Sequence, residues 1–276
     1  MIALCRSVGP ASARGCAFLP VAALALWCGG ALAAEPETGD ATQDLAKQAQ
    51  NPIANLISLP FQNNTDFNFG PRERTLNVLN IQPVVPFKLN ESWNLITRTI
   101  VPLIHLPSLE EGDGAKNGLG DVNPTFFFST ALAKDVLVGF GPTFSLPTAT
   151  SDDLGTGKWS AGPAGVLVWT PGKWVVGALV NNQWSFAGDS DRDSVNQMLI
   201  QPFVNYNFPG GWYAVSAPII TANWEADSDD TWTVPVGGGM GKIFHLGGQA
   251  MNASLQSFYN VESPRYGPDR SIHFQL

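Results

Sequence analysis

Hydrophobic and polar residues alternate with a period of two along most of this chain, in stretches of about 10 to 15 residues closed alternately by a tight turn and a longer polar loop. The stretches run over residues 54–69, 74–88, 92–105, 120–132, 135–147, 158–170, 173–187, 195–208, 211–225, 231–245, 248–261 and a shorter 271–276. They make twelve predicted strands. Side chains on a strand point to opposite faces in turn, so each stretch can be sorted into two faces. Between 198 and 208 one face carries Met198, Ile200, Pro202, Val204, Tyr206 and Phe208, and the other Leu199, Gln201, Phe203, Asn205 and Asn207. Between 136 and 146 Val136, Val138, Phe140, Pro142, Phe144 and Leu146 oppose Leu137, Gly139, Gly141, Thr143 and Ser145. One face is apolar and its opposite is mixed.

A soluble sandwich and a membrane barrel both predict this alternation, and the aromatic residues discriminate between them. Trp159 and Trp169 bracket one stretch, Trp174 and Trp184 the next, Trp212 and Trp224 a third, and Trp232 and Phe244 a fourth, each pair with matching parity. Ten to twelve residues at roughly 3.3 Å each, tilted about 40°, span about 25–30 Å, the height of the lipid-facing band between the aromatic girdles of outer-membrane barrels. A soluble core gives no reason for that spacing. The connections agree: those at 89–92, 133–134, 171–172, 208–211 and 246–247 are short, and those at 106–119, 148–157, 188–194, 226–230 and 262–270 are long. Short periplasmic turns and long extracellular loops belong to such barrels. The expected fold is all-β, a closed antiparallel transmembrane β-barrel of about 12 strands, occupying residues 54–276.

Pro83, Pro102, Pro124, Pro142, Pro163, Pro202, Pro218 and Pro235 fall inside these strands, where each removes a ladder donor. A closed barrel has no edge to hold them, so they are expected at bulges or kinks. Ahead of the first strand, residues 35–53 contain a polar segment from Asp40 that favours a short periplasmic helix stopping before Pro52. Its position allows a plug in the lumen or a loose tail.

Residues 1–34 carry Arg6 and Arg14 without an acid, an apolar run from Ala17 to Leu26, and Ala31-Leu32-Ala33 just before Glu35. That order predicts an export signal peptide. All three cysteines, Cys5, Cys16 and Cys28, fall within it, and Trp27 is too bulky for the residue before a lipid-bearing cysteine. The remainder is cysteine-free. Without Arg6 and Arg14 it holds 13 basic and 23 acidic residues, a net charge of -10, so nucleic acid is not an expected partner. Only 14% of the whole chain is charged, against about 25% in ordinary soluble domains.

Candidate chemistry is sparse. His105, His245 and His273 lie on three separate strands, with no nucleophile elbow and no helical zinc motif around them, so no catalytic residue, metal site or cofactor is assigned. The acids gather in the long loops. Asp189-Ser-Asp-Arg-Asp193 has the spacing of a calcium loop but lacks its glycine and its bidentate glutamate, which leaves solvated loops as the simpler reading. The parity assigns Asn94, Arg98, Asn123, Thr143, Asn181, Gln183, Gln197, Gln201, Asn205, Asn252 and Gln256 to the lumen. Neutral amides and hydroxyls outnumber charges there, which points to a neutral or weakly polar small solute rather than to ion selectivity. The same groups could instead hydrogen-bond to one another and fill the lumen. Trp159, Trp169, Trp174, Trp184, Trp212, Trp224, Trp232 and Phe244 are the expected girdle residues.

The run Asp44-Leu-Ala-Lys-Gln-Ala-Gln-Asn-Pro-Ile-Ala-Asn-Leu-Ile-Ser-Leu-Pro-Phe-Gln-Asn63, with Gly118-Leu-Gly-Asp121, Leu146-Pro-Thr148 and Gly155-Thr-Gly-Lys158, resembles a bacterial outer-membrane family. The family is named for transporters of the meta-pathway of phenol degradation, and some members carry a neuromedin-U-like label. The resemblance covers essentially the whole chain after residue 34. It implies a porin-like, non-enzymatic barrel near aromatic-compound catabolism, seated in the bacterial outer membrane. Outer-membrane lipids and lipopolysaccharide, the outer-membrane assembly machinery and a small-molecule solute are the partners expected of such a barrel. The alternatives are a closed structural barrel and, behind it, an outer-membrane lipid hydrolase. The chain departs from many outer-membrane proteins in ending on Leu276 rather than on an aromatic residue.

Overall fold

The computed structural model describes residues 39–112 and 114–276; the predicted signal peptide lies outside the described residues. Twelve antiparallel strands form one closed barrel. They are β1 (Phe61–Phe69), β2 (Arg74–Ile81 and Val84–Lys88), β3 (Trp93–Leu106), β4 (Lys116–Leu119 and Asn123–Ala133), β5 (Val136–Ser145), β6 (Lys158–Trp169), β7 (Trp174–Gly188), β8 (Asn196–Asn207), β9 (Trp212–Ser216 and Ile220–Asn223), β10 (Trp232–Leu246), β11 (Gln249–Glu262) and β12 (Arg270–Gln275). Each strand pairs with its neighbours in the chain. The barrel closes where Gln62 to Phe67 of β1 run against Gln275 to Arg270 of β12. Closure matters because backbone groups unpaired in hydrocarbon cost several kcal/mol each, roughly.

The outer face is apolar and bounded by aromatic rows. Trp159, Trp169, Trp174, Trp184, Trp212 and Trp224 are all exposed, as are Leu167, Val180, Val204, Met240, Leu255 and Ile272 between the rows. Trp232 is half-buried and meets the Trp224 ring edge-on at 5.4 Å, while the Trp224 indole N–H donates to Asn182 at 2.9 Å. Phe244 is half-buried near the short-turn end, in register with Met251 of β11. At the same end Trp174 and Tyr206 pack at 4.7 Å, and Trp93 packs on Phe140 at 5.9 Å. Trp93 escaped the sequence search because its aromatic partner lies across two strands rather than at the far end of its own.

The in-strand prolines coincide with interruptions of the ladder. Pro83 and Pro218 occupy the breaks within β2 and β9, and Pro124 is the second residue after the break in β4. Pro102 faces the break in β4, since Ile100 pairs with Asn123 and Leu103 with Leu119, leaving residues 101 and 102 unpaired on that side. Pro202 faces the break in β9 in the same way, between Ile200↔Ile220 and Val204↔Ser216. The β4–β5 ladder skips Pro142, the β6–β7 ladder skips Pro163, and the β10–β11 register shifts at Pro235. A proline has no N–H to give, so the wall is interrupted where the donor is already missing. Groups released at the breaks find other partners: Gly120 N donates to Pro102 O at 2.9 Å, and Ala217 N to the Gln256 side chain at 3.0 Å.

Inside the barrel, helix α1 (Gly39–Ala49) packs at the short-turn end. Ala46 is buried with Tyr213, Val215 and Ile243, and Leu45 and Ala49 pack around them. Room for this comes from β10, where a Cβ on Gly241 would sit 2.2 Å from the Tyr213 ring. Of residues 54–60, expected as the start of the first strand, the later ones meet β2 irregularly: Ser58 and Val84 exchange backbone hydrogen bonds at 2.9 and 3.1 Å, and Gln82 N donates to Pro60 O at 2.9 Å. Pro52 ends the helix, and the chain then passes from the buried Ile53 and Ala54 into the wall, where Ile57 and Leu59 are exposed in line with Phe61 of β1. No helix among the described residues is long and apolar enough to cross a membrane.

Candidate functional site

The inner wall encloses two cavities. The larger, about 810 Å³, opens toward the long loops and is lined among others by Asn80, Asn123, Thr125, Asn181, Gln183, Gln197 and Thr221. The smaller, about 150 Å³, lies toward the short turns, between α1 and the wall, and is lined among others by Asn205, Asn252, Ser254 and Gln256. Gln62, Gln82, Arg98, Leu179 and Gln201 border both. These five residues stand between an outer vestibule and an inner one, at a level referred to below as the neck.

The neck is held by a directed chain of hydrogen bonds. Arg98 Nη2 donates to Gln82 Oε1 at 2.7 Å, Gln82 Nε2 donates to Gln62 Oε1 at 3.2 Å, and Gln62 Nε2 donates to Asn64 Oδ1 at 2.9 Å. The guanidinium therefore starts a relay in which every amide carbonyl is oriented toward the donor before it. On the other flank of Arg98, beyond its cross-strand neighbour Thr125, Gln183 Nε2 donates to Thr143 Oγ1 at 2.9 Å, and that hydroxyl lies 2.8 Å from Thr125 Oγ1. Gly162, between Thr143 of β5 and Gln183 of β7, carries no side chain to block the reach; a Cβ there would stand 1.7 Å from Asn182 O.

Beside the neck the inner wall turns apolar. Ile96, Phe127, Ala164, Val166, Val168, Val175, Leu179 and Phe203 form a buried cluster around Ile53, which is 2% exposed. Ile53 is aimed inward by an Asx turn, its N–H donating to Asn51 Oδ1 at 3.0 Å. Gln50 and Asn207 exchange side-chain hydrogen bonds at 2.8 and 3.1 Å, fastening the segment to β8. The segment after α1 thus occupies part of the lumen. A trace of this plug is visible in the run Val166-Leu-Val168, whose inward-facing Val166 and Val168 are apolar and buried while Leu167 is exposed on the outer face.

Of the residues assigned to the lumen by parity, Arg98, Asn123, Thr143, Asn181, Gln183, Gln197 and Gln201 line the larger cavity. Arg98 and Gln201 also reach the smaller, where they meet Asn205, Asn252 and Gln256. Asn94 lies on the same face of β3 as Ile96 and Arg98 but borders neither cavity described here. Thr143 is 1% exposed, its hydroxyl committed to Thr125 and Gln183. Asn252 accepts from Tyr213 Oη at 2.6 Å, and Gln256 holds Ala217 N. Gln62 and Gln82, two neck residues, were missed because they flank the plug segment and the Pro83 break, where parity is hard to count.

The three histidines are not brought together. His105 shares the outer face of β3 with Leu103 and contacts Asn117 Oδ1 at 2.6 Å, His245 is exposed near the short-turn end, and His273 is buried inside against Phe258. The acidic loops are folded onto the rim. Asp121 accepts from Thr156 N at 2.7 Å, Thr156 Oγ1 at 2.9 Å and Ala149 N at 3.3 Å. Arg192 caps the carbonyls of Asp152, Gly155 and Thr156. Asp153 pairs with Lys116, whose hydrogen bond holds that carboxyl below its usual range. The Gly-Leu-Gly-Asp and Gly-Thr-Gly-Lys motifs are therefore two halves of one loop lock, with Asp121 at its centre. Asp113 lies outside the described residues.

No family model and no curated protein matches this chain. Its fold is similar to the crystal structure of an outer membrane channel from Pseudomonas putida F1, with a TM-score of 0.60 at 18% sequence identity, covering 79% of this chain and 91% of that one.

Proposed function

We propose that this chain is an outer-membrane conduit through which small molecules, aromatic or hydrophobic in body, diffuse passively. The observation that carries the reading is the pair of cavities that share five lining residues inside a closed wall. A barrel filled only for stability has no use for an 810 Å³ vestibule lined by amides beside Ile100, Phe127 and Leu199. The similar fold of a protein described as an outer membrane channel supports the same reading, as does the lipid-facing girdle. Hydrolytic chemistry is the weaker alternative, since the histidines stand on three faces of the molecule without a shared cleft.

The plug makes the passage narrow, so the solutes are small. Liposomes carrying the folded chain should swell in phenylalanine, a small aromatic solute that crosses bare bilayers slowly, and barely in sucrose. Swelling no faster than in empty liposomes for every small solute tried would favour the closed structural barrel.

A further inference from the structure

We propose that Arg98 is an anion-binding residue at the neck, and that the conduit selects small monocarboxylates with an apolar body. This rests on the conduit reading above and names the solute class at its narrowest point.

Among the described residues Arg98 is the one charged residue bordering the smaller cavity, and it shares the larger only with Asp230 and Arg265, both in the loops at the mouth. Among the described residues it has no carboxylate partner. Its neighbour Gln82 takes one N–H of Nη2 and fixes the guanidinium plane, which leaves four of the five N–H donors for other partners. A cation withdrawn from bulk water without a counter-ion is costly to keep, and an anion in transit would offset that cost. The planar fork matches a carboxylate bidentately and is weakly hydrated, so it exchanges water for such a ligand more readily than an ammonium would. Leu179 borders the same neck and Phe127 and Ile100 line the vestibule beside it, a wall suited to a small ring or short alkyl group.

The acids of the long loops work against anions, but in a different medium. They stand in water, where fields decay over about 8 Å at physiological salt, whereas Arg98 acts within a narrow, partly apolar passage. The neck therefore decides. This revises the expectation from composition that a lumen dominated by neutral amides has no preference for charge.

The test is chloride current through the full chain in planar bilayers, with sodium benzoate or benzyl alcohol added as probe. Benzoate should reduce the current at a concentration at least about tenfold lower than benzyl alcohol does, a difference of about 1.4 kcal/mol. Arg98→Gln should abolish that difference, and Arg98→Lys, which keeps the charge but not the fork, should retain part of it. Equal potency of the two probes on the unaltered chain would overturn the assignment whatever the variants do, and would leave the conduit standing. A folded barrel that passes no current would overturn the conduit itself and the assignment with it.

Discussion

Val180 lies midway between Trp174 and Trp184 on β7 and is exposed on the outer face, while Asn181 beside it lines the larger cavity. A cationic side chain near the bilayer midplane costs about 2–4 kcal/mol when it faces lipid and little when it faces a wet lumen. Val180→Arg should therefore impair assembly, and Asn181→Arg should be tolerated. Heat-modifiable gel mobility reads the folded fraction of each, and equal tolerance would reverse the assigned faces. At this scale the sequence was most legible, because period-two alternation places a side chain as soon as one neighbour is placed. It failed where a hydrogen bond rather than a face defines the role: Asp121 looks like one more loop acid until its three donors, two from Thr156 and one from Ala149, are seen.

Among the elements, the segment formed by α1 and the residues after it is the one the strand pattern could not place. Polar composition and Pro52 predicted a helix and its end, but a plug and a tail have the same local sequence. What separates them is long-range: Ile53 in the cluster of Phe127, Leu179 and Phe203, and the exchange between Gln50 and Asn207. These contacts fill space that the wall leaves open, so removing residues 39–53 should raise solute flux several-fold while the barrel, whose closure runs through β1 and β12, still folds. Proteoliposome swelling compares the two chains, and an unchanged rate in the shortened one would mean that the segment does not obstruct the path. The prolines show the opposite case. Their positions were plain in the sequence and their meaning was not, because a ladder gap involves the neighbouring strand: Pro202 is explained by the break at Pro218, sixteen residues away.

For the whole molecule, the fold followed from features that recur around the barrel: twelve alternating stretches, matched aromatic pairs, and turns that are short and long by turns. The path through it did not, since a lumen is the joint product of inward faces from every strand. Parity named Arg98 and Gln201 but could not show that they border both cavities together with Gln62, Gln82 and Leu179. That neck is the central claim, and Gln201 is the position at which to challenge it. Replacing Gln201 with Trp adds bulk between the two cavities and leaves the lipid face untouched. Swelling rates of proteoliposomes in a small solute measure the consequence directly. The account predicts a rate several-fold lower for Gln201→Trp than for the unaltered chain, at equal amounts of folded barrel. An undiminished rate would contradict it, because solute would then be crossing by a route that does not pass the neck.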